Sequence, residues 1–133
     1  MKITPNYVLI LARKSDDLAP LKFLLRRLSY AVTVATSEEQ AISEVMQSIP
    51  CLVILAGSHS AWSQSFVATL RGNTHAYGTT IVALTDCHAP SWLPQEENPG
   101  LDGFLVKPIS IDILSSLVQS AFVKQLCCST SCT

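Results

Sequence analysis

Five short apolar runs punctuate the chain: Tyr7 to Ala12 (YVLILA), Ala31 to Ala35 (AVTVA), Leu52 to Ala56 (LVILA), Ile81 to Thr85 (IVALT) and Gly103 to Val106 (GFLV). They are near-continuous rather than alternating, the pattern of strands buried on both faces of a parallel sheet. Between them the spacing becomes helical. Leu18, Leu21, Phe23, Leu24, Leu25 and Leu28 recur at helix period, with Asp16 or Asp17 placed to cap and Lys22, Arg26 and Arg27 alongside. Ser37-Glu38-Glu39-Gln40 is a capping box, and the stripe Ala41, Ile42, Val45, Met46 and Ile49 after it stops at Pro50. Phe66, Val67 and Leu70 mark a third helix ending near Gly72. Ser110 opens a fifth, in which Ile113, Leu114, Leu117, Val118, Ala121 and Phe122 are expected to point inward.

The alternation breaks between Thr85 and Gly103, where Pro90, Pro94 and Pro99 remove backbone donors and clash with helical geometry. A short or distorted fourth helix, or an ordered loop, is expected there. Strands alternating with helices at these lengths call for right-handed crossovers and a doubly wound α/β fold. The economical arrangement is a flavodoxin-like, five-stranded parallel sheet of order 2-1-3-4-5, with function at the carboxyl ends of its strands.

With 133 residues the chain has room for one domain, placed at 1–126, followed by a Cys-rich segment, 127–133. Charged residues make up 14% of the chain, against a norm of about 25%. The surface is therefore unusually uncharged. A net charge of -1 and a pI near 6.2 give no basic footprint for a nucleic acid. The first apolar run is too short for a signal sequence or a membrane span, so a cytoplasmic protein without membrane contact is expected.

The five cysteines are read as reduced thiols. Cys127, Cys128 and Cys132 together with His59, His75 and His88 lack zinc-type spacing, so no metal is expected. The terminal cysteines fit reversible acylation, oxidation or the cut end of a longer chain. Ser58, His59, Ser60 and Ser63 include no nucleophile elbow and read as a polar loop. The dispersed glycines build no phosphate-cradling loop, and no cofactor is expected.

Taken in order, YVLILARKSDD, RRLSYAVTVATSEEQAI, PCLVILA, IVALTD and GLDGFLVKPIS resemble the receiver domain (CheY-like) of two-component response regulators over nearly the whole chain. The most specific pieces are the strand closing on Thr85 and the run Phe104-Leu105-Val106-Lys107-Pro108. The resemblance implies an acidic pair after the first strand and a phosphoacceptor Asp after the third, jointly holding Mg²⁺ through oxygen ligands. Ala12 and Arg13 stand at the pair, and Ala56 at the phosphoacceptor. A methyl group cannot attack a phosphoryl group. Thr85 and Lys107 match the residues that bind phosphoryl oxygens, Phe104 matches the aromatic switch position, and Lys107-Pro108 matches a bond commonly cis.

Two readings of the altered pocket stand side by side. Arg13 and Lys107 together make an anion site; alternatively Arg13 faces solvent and Lys107 pairs with Asp16, Asp17 or Asp86. Phe104 is likewise either a switch or a core aromatic. On the fifth helix, Ser115, Ser116, Gln119 and Ser120 form an uncharged face beside Phe104, easily desolvated in an interface. The mean hydropathy of +0.33 agrees with an associating surface.

The functional expectation is a degenerate pseudo-receiver without enzymatic activity: a phosphorylation-independent protein-interaction module in two-component-type signalling. Its expected partner is a sensor kinase or output regulator, with self-association through the fourth-helix, fifth-strand and fifth-helix face. Two alternatives remain open: a small-molecule or anion sensor using the vacated pocket, and a receiver phosphorylated on Asp16, Asp17 or Asp86.

Overall fold

The computed structural model describes residues 7–12, 15–28, 30–56, 64–74, 78–85, 102–106 and 109–131, with the side chains of 15–18, 64, 85, 104, 106 and 126–131 left outside that description. Strands β1 (Tyr7–Leu11), β2 (Ala31–Ala35), β3 (Leu52–Leu55), β4 (Thr80–Thr85) and β5 (Gly103–Val106) form a parallel sheet of order β2-β1-β3-β4-β5. The helices are α1 (Ser15–Arg27), α2 (Glu38–Gln47), α3 (Gln64–Thr74) and α4 (Ile111–Ser131). The segment expected to hold a fourth helix, 86–101, lies outside the described residues, so the fifth helix of the sequence reading is α4 here.

Period-two alternation assigns the strand residues to two cores. Tyr7, Leu9 and Leu11 of β1, Val53 and Leu55 of β3, and Ile81 and Ala83 of β4 join Ala41 and Val45 of α2 and Phe66, Val67 and Leu70 of α3. The intervening Val8, Ile10, Leu52, Ile54, Val82 and Leu84 join Leu21 and Leu25 of α1 and Leu114, Val118 and Ala121 of α4. Both faces are covered, which is why the strand runs are solidly apolar. Edge strand β2 is only half-buried over most of its length and accordingly tolerates Thr33.

The helix ends follow local chemistry. The Ser37 hydroxyl accepts from the Gln40 amide at 3.1 Å. The Gln40 side chain reaches back one residue further than a standard capping box, accepting from the Thr36 amide at 3.0 Å. Helix α3 runs past Gly72 to Thr74, whose hydroxyl donates to the Leu70 carbonyl at 2.8 Å. Gly78, at φ 71°, then supplies a left-handed turn into β4. Helix α4 begins where the Ser110 hydroxyl accepts from the Ile113 amide. It continues through Ser131, across the expected 126/127 division, because neither Gly nor Pro interrupts it.

Three residues expected on buried stripes are exposed instead: Phe23 at 61%, Met46 at 74% and Ile113 at 56%. Phe23 lies two residues from both Leu21 and Leu25, about 200° around the helix from either. Met46 and Ile113 each sit one residue, about 100°, beyond a buried neighbour, Val45 and Leu114. The sheet covers a narrower stripe than the apolar spacing suggested.

Side-chain hydrogen bonds hold the amino end of the sheet. The buried Pro50 carbonyl accepts from the Thr79 hydroxyl at 2.7 Å and from the Gln125 amide at 2.9 Å, tying β4 and α4 to the entry of β3. The Tyr7 hydroxyl donates to the Ser48 carbonyl at 2.5 Å. Among the described residues, no helix is long and apolar enough to cross a membrane.

Candidate functional site

Strand order reverses between β1 and β3: the chain leaves β1 outward to β2, then returns to β3 on the other side. In open α/β sheets such a switch point, at the strands' carboxyl ends, is where ligand sites form. The residues standing there are Ala12 and Ala56. The Ala12 amide donates to the Ala35 carbonyl at 3.1 Å and the Ala56 amide to the Leu11 carbonyl at 2.8 Å, so the ladders hold both positions firmly. The register Leu11 to Leu55 to Ala83 to Phe104 puts Ala12, Ala56, Leu84 and Leu105 on one level of the sheet.

Both alanines are 3% exposed and belong to the same apolar cluster as Leu84 and Leu105. Among the described residues, this level of the sheet thus presents methyl and isobutyl groups. Neither alanine carries an oxygen to ligate a hard cation or a nucleophile to accept a phosphoryl group. The residues present at these two positions do not fit Mg²⁺.

Thr85 closes β4, its Cα paired with that of Val106, and Phe104 lies within β5. The structure therefore brings the backbone of Thr85 to the same end of the sheet as Ala12 and Ala56. The Thr85 and Phe104 side chains, and all of Arg13, Asp86, Lys107 and Pro108, lie outside the described residues. Asp16 and Asp17 fall in the first turn of α1, with their side chains likewise outside the description.

Of the expected association face, the last-helix part falls among the described residues, while the fourth-helix segment and the Phe104 side chain lie outside them. On α4, Ser116, Gln119 and Ser120 are exposed and Ser115 is half-buried. A shallow recess of about 490 Å³ is lined by Ser116, Gln119, Ser120, Val123 and Lys124. Val123, which the expected face did not include, and Ile113, expected to point inward, are both 56% exposed. The signal was available, since 113, 116, 120 and 123 follow the i, i+3, i+7, i+10 spacing of one helix face. This stripe carries no charge between Asp112 and Lys124.

A second polar centre, unforeseen in the sequence, lies at the opposite end of the sheet. The Asp102 carboxylate pairs with the Arg71 guanidinium and accepts from the Ile81 amide at 2.7 Å, while Lys124 Nζ stands 3.8 Å from its other oxygen. Arg71 also donates to the Thr79 carbonyl at 3.0 Å. Helices from both faces thereby converge on the entry of β5, so this is a structural clamp. Nearby, burial pushes the Cys51 thiol up to about 11 and raises the Tyr7 phenol above its ordinary value, Glu44 and Cys51 adding to the latter.

No family model and no curated protein matches the chain. Solved structures do. A candidate response regulator from Chloroflexus aurantiacus is 21% identical, with a TM-score of 0.75, over 90% of this chain and 99% of that one. A two-component response regulator from Clostridium difficile is 22% identical, with a TM-score of 0.72, over 90% and 97%. The receiver domain of a signal transduction histidine kinase from Syntrophus aciditrophicus is 19% identical, with a TM-score of 0.70, over 89% and 90%. The chain has the fold of these receiver domains.

Proposed function

We propose that this chain is a pseudo-receiver: a cytoplasmic two-component-type signalling module that works by binding a protein partner, without phosphotransfer or other catalysis of its own. The reading rests on one observation above all. At the switch point, where a receiver needs carboxylates for Mg²⁺ and for the phosphoryl bond, this chain places Ala12 and Ala56, both buried in an apolar cluster. Restoring the chemistry would need a nucleophile and metal ligands that these positions do not supply.

Neighbours of this fold include a response regulator and a receiver domain of a histidine kinase, so the partner is a sensor kinase or an output regulator. The uncharged α4 stripe from Ile113 to Val123 supports the choice of docking face, because weakly hydrated surface is easily desolvated.

The test is incubation of the full chain with Mg²⁺ and acetyl phosphate, read by intact mass. An unchanged mass is expected. A stoichiometric phosphoryl adduct contradicts the proposal and directs attention to Asp16, Asp17 or Asp86.

A further inference from the structure

Two exposed patches on opposite sides of the sheet have matching composition and opposite charge. On α1, Phe23 is 61% exposed, and Arg26 and Arg27 are exposed beside it, with the Arg27 guanidinium carbon 5.8 Å from the centre of the Phe23 ring. Between α2 and α3 runs an open groove of about 660 Å³. Its lining includes Ile42, Phe66 and Met46, the last 74% exposed, and at one end Glu38 and Glu39. Among the described residues, its lining holds no Lys or Arg.

The spacing matches as well as the charge. On α1 the cations follow the aromatic by three and four residues; on α2 the carboxylates precede Ile42 by four and three. One helical turn separates apolar from charged groups in both cases. Laid antiparallel, the two helices set Phe23 against Ile42 and Met46 while Arg26 and Arg27 meet Glu38 and Glu39. The opposed helix dipoles favour the same orientation.

Helices α1 and α2 pack on opposite faces of the sheet, so the two patches cannot meet within one molecule. We infer that the α2–α3 groove binds the Phe23–Arg27 face of α1 from a second copy of this chain. The contact is heterologous, with different surfaces on the two partners. It therefore builds open head-to-tail chains unless the rotation closes a ring. A contact of one helix face in one groove is well below the standard interface size, so association is weak and concentration-dependent. This surface is separate from the α4 stripe and independent of whether the chain is phosphorylated.

The test is sedimentation velocity on the full chain under reducing conditions, across the micromolar to millimolar range. Wild type is expected to gain mass with concentration. R26E/R27E and E38K/E39K, each checked for folding by circular dichroism, are each expected to weaken self-association at least about tenfold, since each sets like charges together. An equimolar mixture of the two is expected to associate, because both the native and the reversed charge pairings are then available across molecules. F23S and M46S change exposed side chains and are expected to weaken the contact without loss of folding. A wild-type chain that stays monomeric overturns the inference and leaves the groove to a basic segment of another protein. Charge-reversed chains that associate like wild type, or a mixture that stays monomeric, overturn it too.

Discussion

The amide of Ala56 donates to the carbonyl of Leu11 at 2.8 Å, carrying the β1–β3 ladder into the candidate site itself. Because the ladder fixes the Ala56 backbone, its Cβ is held in the cluster that also contains Ala12, Leu84 and Leu105. An Ala56→Asp chain therefore buries a carboxylate among apolar groups, and a cost of at least about 2 kcal/mol at neutral pH is expected. Urea denaturation with and without Mg²⁺ checks this. The midpoint is expected to fall, and Mg²⁺ to leave it unchanged, because Ala12 offers no second ligand; stabilisation by Mg²⁺ would show that the site can still assemble.

Asp102 joins α3, β4 and α4, and its two substitutions separate charge from hydrogen bonding. Asp102→Ala removes the ion pair with Arg71 and the acceptor of the Ile81 amide, at an expected cost of about 1–3 kcal/mol. Asp102→Asn keeps an oxygen for the Ile81 amide and is expected to cost less. Equal losses in chemical denaturation would show that only the charge matters.

The Pro50 carbonyl has two buried donors, Thr79 and Gln125. Either Thr79→Val or Gln125→Leu leaves one donor in place, so each is expected to cost about 1 kcal/mol. The double variant strands the carbonyl, and a double-mutant cycle is expected to show a cost greater than the sum. Strict additivity would contradict that shared role.

Cys51 links stability to pH. Its thiol is raised from 9.0 to about 11 by burial, so the folded state keeps a proton that the unfolded chain releases first. The stability that this provides is complete below about pH 9 and is lost as pH rises towards 11. Thermal melts of wild type should decline over that window, Tyr7 adding to the decline at its upper end, and Cys51→Ala should decline less steeply. A matching requirement is that Cys51 resists alkylation in the native chain at pH 8 and reacts once denatured.

Much of this was legible in the sequence because the apolar runs answer to two simple constraints. YVLILA and LVILA are solid because sheet faces toward α1/α4 and toward α2/α3 are both covered, and the alanines closing them stand at the switch point that the strand order creates. Exposure of Met46 was not legible, since helical spacing counts apolar residues without saying how wide a stripe the sheet covers; that of Phe23 was, since it stands about 200° around the helix from Leu21 and Leu25. Asp102 was hidden for another reason. Its partners Arg71 and Lys124 lie 31 and 22 residues away, and only the fold brings them together.

The proposal that the carboxyl ends of β1 and β3 form no phosphoryl site rests on Ala12 and Ala56. Its most direct test is an amide NMR titration of the full chain with Mg²⁺ and beryllofluoride, following Ala12, Ala56 and Thr85. No saturable shifts are expected at these amides. Saturable shifts centred on the three of them would contradict the proposal and restore a phosphorylation switch.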